Sequence, residues 1–400
     1  MAGLLLLGVG GVGLTSGGCR SSGRTETVAP TRGRTPARPL PAQVRAIWVA
    51  RFHYHFPDDI RTIMRNCAAD GFNTVLWQVR GEGTVAYPSR LEPWSAEYCH
   101  RDPGFDPLQV AVEEAHKHGL RIEAWVNTMP GWKGPKPPAP RDQLWHTHPE
   151  WFLRDAAGKR QPLGEFYSIL NPCLPEVRRH IASVVDEIVR EYDVDGVHLD
   201  YVRYAWETTK NARQLYPRDP ETLRIFSRQT GKHPDDDRRA WDDWRANQLT
   251  RLVADIRAAV DRRRPRATLT AATWNSPQRG YKEYFQNGVA WLRTGLIDAA
   301  LPMAYTDDLA RFEGYVGAYR TLAPQGRVVP GIGIYKHDTA EQMARQLEYC
   351  RRLGGDFALF SYDSIHPVAG DRGRNGRSKV APEKIRQRQM RVDVLRRVGG

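Results

Sequence analysis

A chain of 400 residues with 40% hydrophobic content can bury one large core, which excludes wholesale disorder and leaves a single barrel with extensions or two smaller domains. The formal net charge of +13 is concentrated at the ends: residues 20–40 hold five Arg against one Glu, and residues 371–400 hold ten Lys or Arg against three acids, so the body is near +2. A nucleic-acid-binding body is therefore not expected, and the basic ends read as solvated, poorly ordered tails.

The chain starts with an apolar run, LLLLGVGGVGL, followed by small residues and Cys19. The run is too short for a membrane span. It resembles a bacterial lipoprotein signal over residues 1–19 in which Cys19 is lipidated after cleavage, a plain export signal being the alternative. Residues 20–43, rich in Pro and Arg, then form a disordered tether. This pattern predicts an exported, lipid-anchored protein of the bacterial cell envelope. Cys67, Cys99, Cys173 and Cys350 show no CxxC pair and no zinc spacing, so no metal is expected. Export would permit two disulfides, but a buried free thiol is the default for Cys67 and Cys350 in predicted helices.

The body alternates short apolar strands with amphipathic helices, the pattern of a parallel sheet covered by helices. Arg45 to Ala50 is the first strand, followed by a helix from Phe56 to Asp70; Thr74 to Arg80 is the second. A long excursion, Gly81 to Pro103, precedes a helix from Pro107 to His118 and a third strand, Arg121 to Asn127. Thr128 to Pro172 is too long and too rich in Pro and Trp for a plain connection and reads as a binding wall or lid. Helix Pro175 to Tyr192 leads into DVDGVHLDYVRY, Asp193 to Tyr204, the fourth strand. Gly196 is read there as the residue that lets the chain turn tightly into the strand. An insert, Ala205 to Asp237, and a long helix, Trp241 to Arg263, come next. Thr268 to Trp274, Asp298 to Tyr305, Val328 to Tyr335 and Asp356 to Tyr362 complete eight strands, with helices Leu309 to Thr321 and Thr339 to Leu353 between the last three. The fold class is α/β, a (β/α)8 TIM barrel with long loops after strands 2, 3 and 4, over residues 44–366, with residues 367–400 as a basic tail.

A strand that alternates sides puts His198 and Asp200 on one face, and an acid at the C-terminal end of a barrel strand points into the bowl where substrates bind. The other strand ends add Trp48, His53 and His55; Gln78, Arg80 and Glu82; Trp125 and Asn127; Tyr201, Arg203 and Tyr204; Trp274 and Asn275; Tyr305, Asp307 and Asp308; Tyr335 and His337; Tyr362 and Asp363. Aromatic faces flanked by amides, carboxylates and guanidinium groups suit a sugar ring. Trp77 and Trp151 are assigned to helix packing, while Trp48, Trp125 and Trp274 stay open between packing and stacking. Glycoside cleavage needs two carboxyl groups. Asp200 is the first, and for the second Asp307 stands narrowly ahead of Glu82. Asp307 or Asp308 could instead cap the helix at Leu309. Glu123 lies inside the third strand, and His198 is either a donor to the site or a satisfied barrel histidine. No phosphate loop, HExxH or GxSxG motif is present, and no cofactor is expected.

The runs AIWVARF, GFNTVLWQVRGEGTVAYPSRLEPWS, DPLQVAVEEAHKHGLRIEAWVN, NPCLPEVRRHI and YDVDGVHLDYVRY resemble, in order and spacing, the glycosyl hydrolase-like 10 proteins of bacteria. That resemblance implies an exported or lipoprotein glycosidase on a (β/α)8 barrel. GVHLD also resembles the fourth-strand motif of the alpha-amylase superfamily, which implies that Asp200 is a nucleophile, with His198 replacing the usual Arg. Tyr201 follows Asp200 where the family often has a second acid, Thr84 stands where it usually has Asp, and Trp274-Asn275 offers no Glu to match the amylase acid. The general acid is thus open. The expectation is a monomeric glycoside hydrolase acting on a cell-wall or exopolysaccharide-type glycan, or alternatively a carbohydrate-binding barrel without catalysis.

Overall fold

The computed structural model describes residues 40–204, 215–371 and 380–398. The leader, Cys19, nearly all of the tether and part of the insert after the fourth barrel strand lie outside the described residues. The strands in chain order are β1 (Arg45–Val49), β2 (Thr74–Arg80), β3 (Arg121–Asn127), β4 (Pro130–Gly134), β5 (Gly164–Ile169), β6 (Gly196–Asp200), β7 (Thr268–Thr273), β8 (Ala299–Pro302), β9 (Arg327–Val328), β10 (Gly331–Gly333) and β11 (Phe357–Phe360). Nine of them form one parallel sheet in the order β10-β11-β1-β2-β3-β6-β7-β8-β9, while β4 and β5 make an antiparallel hairpin.

β9 and β10 are two halves of one barrel strand. Pro330 has no N–H to give a ladder, so the strand breaks there. Pairing resumes through the Met303↔Gly331 bridge to the segment after β8, and β10 pairs with β11, which pairs with β1. The sheet therefore closes with eight strand positions, the (β/α)8 barrel expected from the alternating pattern.

Its side chains separate into two layers. Ala46, Trp48, Ala50, Leu76, Trp125, Leu301 and Ala358 fill the barrel interior. Ile47, Val49, Val75, Trp77, Ile122, Val197 and Leu199 face the helices, where Trp77 stacks on Tyr54 at 4.0 Å. Gly196 has a role other than the expected turn: a Cβ there would lie 2.2 Å from Thr268 Oγ1 and 2.8 Å from its carbonyl oxygen. Only glycine lets β6 approach β7 so closely. Helices Pro57–Ala69, Pro107–Lys117 and Pro175–Glu191 each start on Pro, whose fixed φ suits the first turn. Cys67, Cys99, Cys173 and Cys350 are all free, and burial pushes the Cys173 thiol up to about 12.

The basic C-terminal segment departs from expectation. Over Pro382–Val398 it is a helix with Val392, Val394 and Leu395 buried. Arg388 donates to the Asp363 carbonyl (2.8 Å), and Arg391 donates to the carbonyls of Ser364 (3.0 Å) and His337 (2.8 Å). Charge density suggested a solvated tail, but these guanidinium groups satisfy loop carbonyls and the apolar residues between them find a core. We expect Leu395→Ala to lower unfolding free energy by about 2–4 kcal/mol, whereas Met390→Ala, at an exposed position, should stay within about 0.5 kcal/mol in the same urea titration.

Candidate active site

Asp200 ends β6 and is buried. Its carbonyl accepts from the backbone N–H (2.8 Å) and hydroxyl (3.0 Å) of Thr128, which fixes the strand end against the chain leaving β3. Tyr201 follows in a left-handed conformation (φ 53°), and its N–H donates to the Asp200 carboxylate at 2.6 Å. A charge-assisted bond of this kind suits an ionised carboxylate.

Glu82 lies just beyond β2, in a turn closed by the Gly81 N–H donating to the Thr84 carbonyl (3.1 Å). Arg51 Nη2 contacts Glu82 Oε2 at 2.7 Å, and Arg51 Nε lies 3.2 Å from Glu97 Oε1. Gln78 Oε1 accepts from the Arg51 backbone N–H (3.1 Å) and from Nη1 (3.4 Å), holding the guanidinium in place. Burial raises the pKa of Glu82; Arg51 and Lys133 oppose the rise, and Glu97 adds to it. Burial alone would lower the pKa of Arg51, but the charges of Glu82 and Glu97, together with Tyr167, hold it above its ordinary value.

Tyr167, on β5, packs edge-on against Tyr201 at 4.9 Å. Its pKa is raised by burial, against the pull of Arg51, and the charges of both Glu82 and Asp200 push it further up. Tyr305 lines the same bowl: burial raises its pKa and the Asp200 charge adds to it. At the rim the Arg203 guanidinium lies 4.2 Å from the Tyr201 ring and 5.4 Å from Trp274, which leans on Tyr284 at 4.2 Å. Asn275 is half-buried beside Trp274, and Tyr335 is half-exposed beside Tyr305.

Several expected bowl residues are placed elsewhere. Trp48, 1% exposed, donates from Nε1 to His198 Nε2 (3.0 Å) inside the barrel. Trp125 is buried in the same layer and donates to Asn127 Oδ1 (2.9 Å). Neither tryptophan offers a sugar an open face. His198 is fully buried with both ring nitrogens engaged, the second on Thr270 Oγ1 (2.9 Å), so it is the satisfied barrel histidine. Arg80, 0% exposed, forms a two-point pair with Glu92 (2.8 and 2.7 Å) and donates to the carbonyls of Asn127, Thr128 and Pro130. It anchors the excursion after β2 to the end of β3. Tyr204 is buried behind the sheet, between Cys173 Sγ (3.2 Å) and the Arg245 carbonyl (3.2 Å). Tyr362 is buried on Asn66, whose amide donates to its hydroxyl (2.9 Å).

His53 accepts from the Ala50 N–H (3.1 Å), and burial, opposed by Asp363, pushes it down to about 4. His55 is half-buried, its N–H donating to Asp59 (3.0 Å). Asp308 caps the helix Leu309–Leu322 by accepting from the Arg311 N–H (2.9 Å). Asp307 is exposed beside it and bears on His337, whereas Glu82 is buried on Arg51 at 2.7 Å. Glu123 is buried at the barrel floor, accepting from Thr268 (2.8 Å) and Thr270 (2.5 Å). Among the described residues, no group of three or more His, Cys, Asp or Glu side chains is arranged to hold a metal ion.

Strand periodicity does not single out Arg51, Glu97 or Tyr167. Arg51 follows the first strand in VARFH, a strand-end position like those that were named. Glu97 and Tyr167 lie in the two long excursions, where no periodicity assigns a direction.

A closed parallel barrel with carboxylates and aromatic residues at the C-terminal ends of its strands has the architecture of the barrel glycosidases. The chain belongs to the glycosyl hydrolase-like 10 family, whose profile matches residues 43–336. Glycosyl hydrolase DigH of Escherichia coli strain K12 is 29% identical over 298 residues, an alignment covering 66% of this chain and 63% of that protein. Glycosyl hydrolase YngK of Bacillus subtilis strain 168 is 29% identical over 258 residues, covering 59% and 46%. The chain thus spans less than two thirds of the length of these curated relatives. Among solved structures, the PgaB (BpsB) glycoside hydrolase domain from Bordetella bronchiseptica superposes with a TM-score of 0.62 at 15% identity, covering 80% of this chain and 94% of that one. Alpha-L-fucosidase isoenzyme 2 from Paenibacillus thiaminolyticus gives 0.58 at 14% identity, covering 88% and 49%. At these identities the likeness is one of fold.

The buried histidine supplies a stability test. Burial pushes His198 down to about 3, so the native state keeps the ring neutral while the unfolded chain takes up a proton near its ordinary pKa of about 6.5. Wild-type stability therefore includes a contribution that is complete above that pH and lost as pH falls below it. Relative to His198→Asn, the wild type should lose about 1.4 kcal/mol per pH unit below pH ~6.5 in urea unfolding. A difference between the two proteins that stays constant from pH 7.5 to 5 contradicts this assignment.

Proposed function

We propose that this protein hydrolyses glycosidic bonds of a cell-wall or exopolysaccharide-type glycan, with Glu82 and Asp200 as its carboxyl pair. The observation that carries the reading is the pair of buried carboxylates at the C-terminal ends of β2 and β6, Glu82 held by Arg51 at 2.7 Å and Asp200 held by the Tyr201 N–H at 2.6 Å, with the Tyr167 ring packed edge-on against Tyr201 at 4.9 Å. Glu82, buried and with its pKa raised, is suited to hold a proton and deliver it to the leaving glycosidic oxygen. Asp200, bonded by the Tyr201 N–H, is suited to remain ionised and stabilise the oxocarbenium-like centre. By the fourth-strand resemblance it also attacks that centre. Tyr201, Arg203, Trp274 and Tyr305 offer stacking and hydrogen-bonding groups around the ring. The apolar run ending near Cys19 supports an exported, lipid-anchored location in the bacterial envelope.

A carbohydrate-binding barrel without catalysis is the second reading, favoured by Thr84 and Asn275 standing where related sequences suggest acids. Reducing-end release from a panel of bacterial cell-wall glycans and exopolysaccharides separates the two. Glu82→Gln and Asp200→Asn should each reduce kcat by at least about 100-fold, the usual contribution of a positioned acid or base, while Asp307→Asn stays within about threefold. Saturable glycan binding by the wild type with no ends released would favour the binding protein.

A further inference from the structure

Glu97 is not named by the sequence motifs, yet it shares an arginine with the acid assigned above. We propose that Glu97 is a positioning residue that keeps a proton on Glu82, acting through the Arg51 guanidinium that both carboxylates contact. This rests on the assignment of Glu82 as the general acid.

The argument begins with a charge count. Arg51 reaches Glu82 at 2.7 Å and Glu97 at 3.2 Å, and the three side chains are only 9%, 8% and 14% exposed. Two carboxylates and one guanidinium leave one negative charge uncompensated in a site with little water. A single added proton makes the set neutral, so low dielectric and like-charge repulsion both favour taking one up. Without Glu97, Arg51 would neutralise Glu82 by itself, and burial alone would be left to favour the proton.

The surroundings agree with that count. Lys133, on β4, also bears on Glu82, but its side chain is exposed and its charge is screened by solvent. Tyr167, on β5, is a neutral phenol that can hydrogen-bond but cannot supply charge. Gln78, on β2, fixes Arg51 without changing the charge. Oε2 of Glu97 is buried with no hydrogen-bond partner.

The test uses the full chain and two readouts. One is the carbon-13 NMR titration of side-chain carboxyl groups, with the Glu82 signal assigned by its loss in Glu82→Gln. The other is the pH dependence of kcat/KM for reducing-end release. In the wild type Glu82 should titrate above the ordinary carboxylate range, and in Glu97→Gln at lower pH. The same variant should keep its activity at the acid end and lose roughly tenfold in kcat/KM at the alkaline end, since a general acid must be protonated to work. Glu97→Asp, which keeps the charge, should stay near the wild type in both readouts. A wild-type Glu82 that titrates in the ordinary range, or one unmoved by Glu97→Gln, overturns the proposal. If the titrations behave as expected but Glu82→Gln remains fully active, the shared proton stands and the assignment of Glu82 as the acid falls.

Discussion

The barrel is built around a hydrogen-bonded chain through its interior. Trp48 can only donate, so His198 Nε2 must accept and the neutral ring carries its proton on Nδ1. That proton goes to Thr270, whose own hydroxyl is then free to donate to Glu123. One residue each from β1, β6, β7 and β3 is thereby tied into a single path. Any break would strand a polar group in an interior without water, at a cost of about 1–3 kcal/mol each. The path also fixes the level of the bowl. Asp200 sits two residues above His198 on the same face, and the register opposes it to Asn127 just as it opposes His198 to Trp125.

That layering explains what the sequence could and could not reveal. Strand positions were legible because a β-strand in a closed barrel is buried on both sides, so runs such as TVLWQVR and RIEAWVN stand out from the helices between them. Which side each residue faces follows from parity. Its height along the barrel axis does not. Trp48 and His198 share an inward face with the site, yet both lie inside a strand rather than beyond its end, and so became floor instead of wall. Tyr204 and Tyr362 lie beyond strand ends, where parity no longer holds, and turned outward against helices.

The same limit accounts for the residues that were missed. Arg51 falls in a short 3-10 turn, Arg51–His53, where no two-residue period exists to aim it. Local turn geometry gives Asp307 and Glu82 different surroundings. Asp307 precedes a helix start and stays exposed on its approach, while the Gly81–Thr84 turn folds Glu82 inward toward Arg51. Tyr167 reaches the site only because the β4–β5 hairpin brings it there. The excursion after β3 was legible as a wall, but not which of its side chains would face the bowl.

The closure of the barrel has a practical consequence. The family profile ends at residue 336, whereas β11, at Phe357–Phe360, is the strand that pairs with both β10 and β1. A fragment cut at the profile boundary would have two open edges where the intact barrel has none. Both would carry unpaired backbone donors and acceptors beside apolar residues such as Ile47 and Ile332, the arrangement that promotes strand addition between molecules. The smallest part of this chain that can be handled without self-association must therefore extend past Phe360.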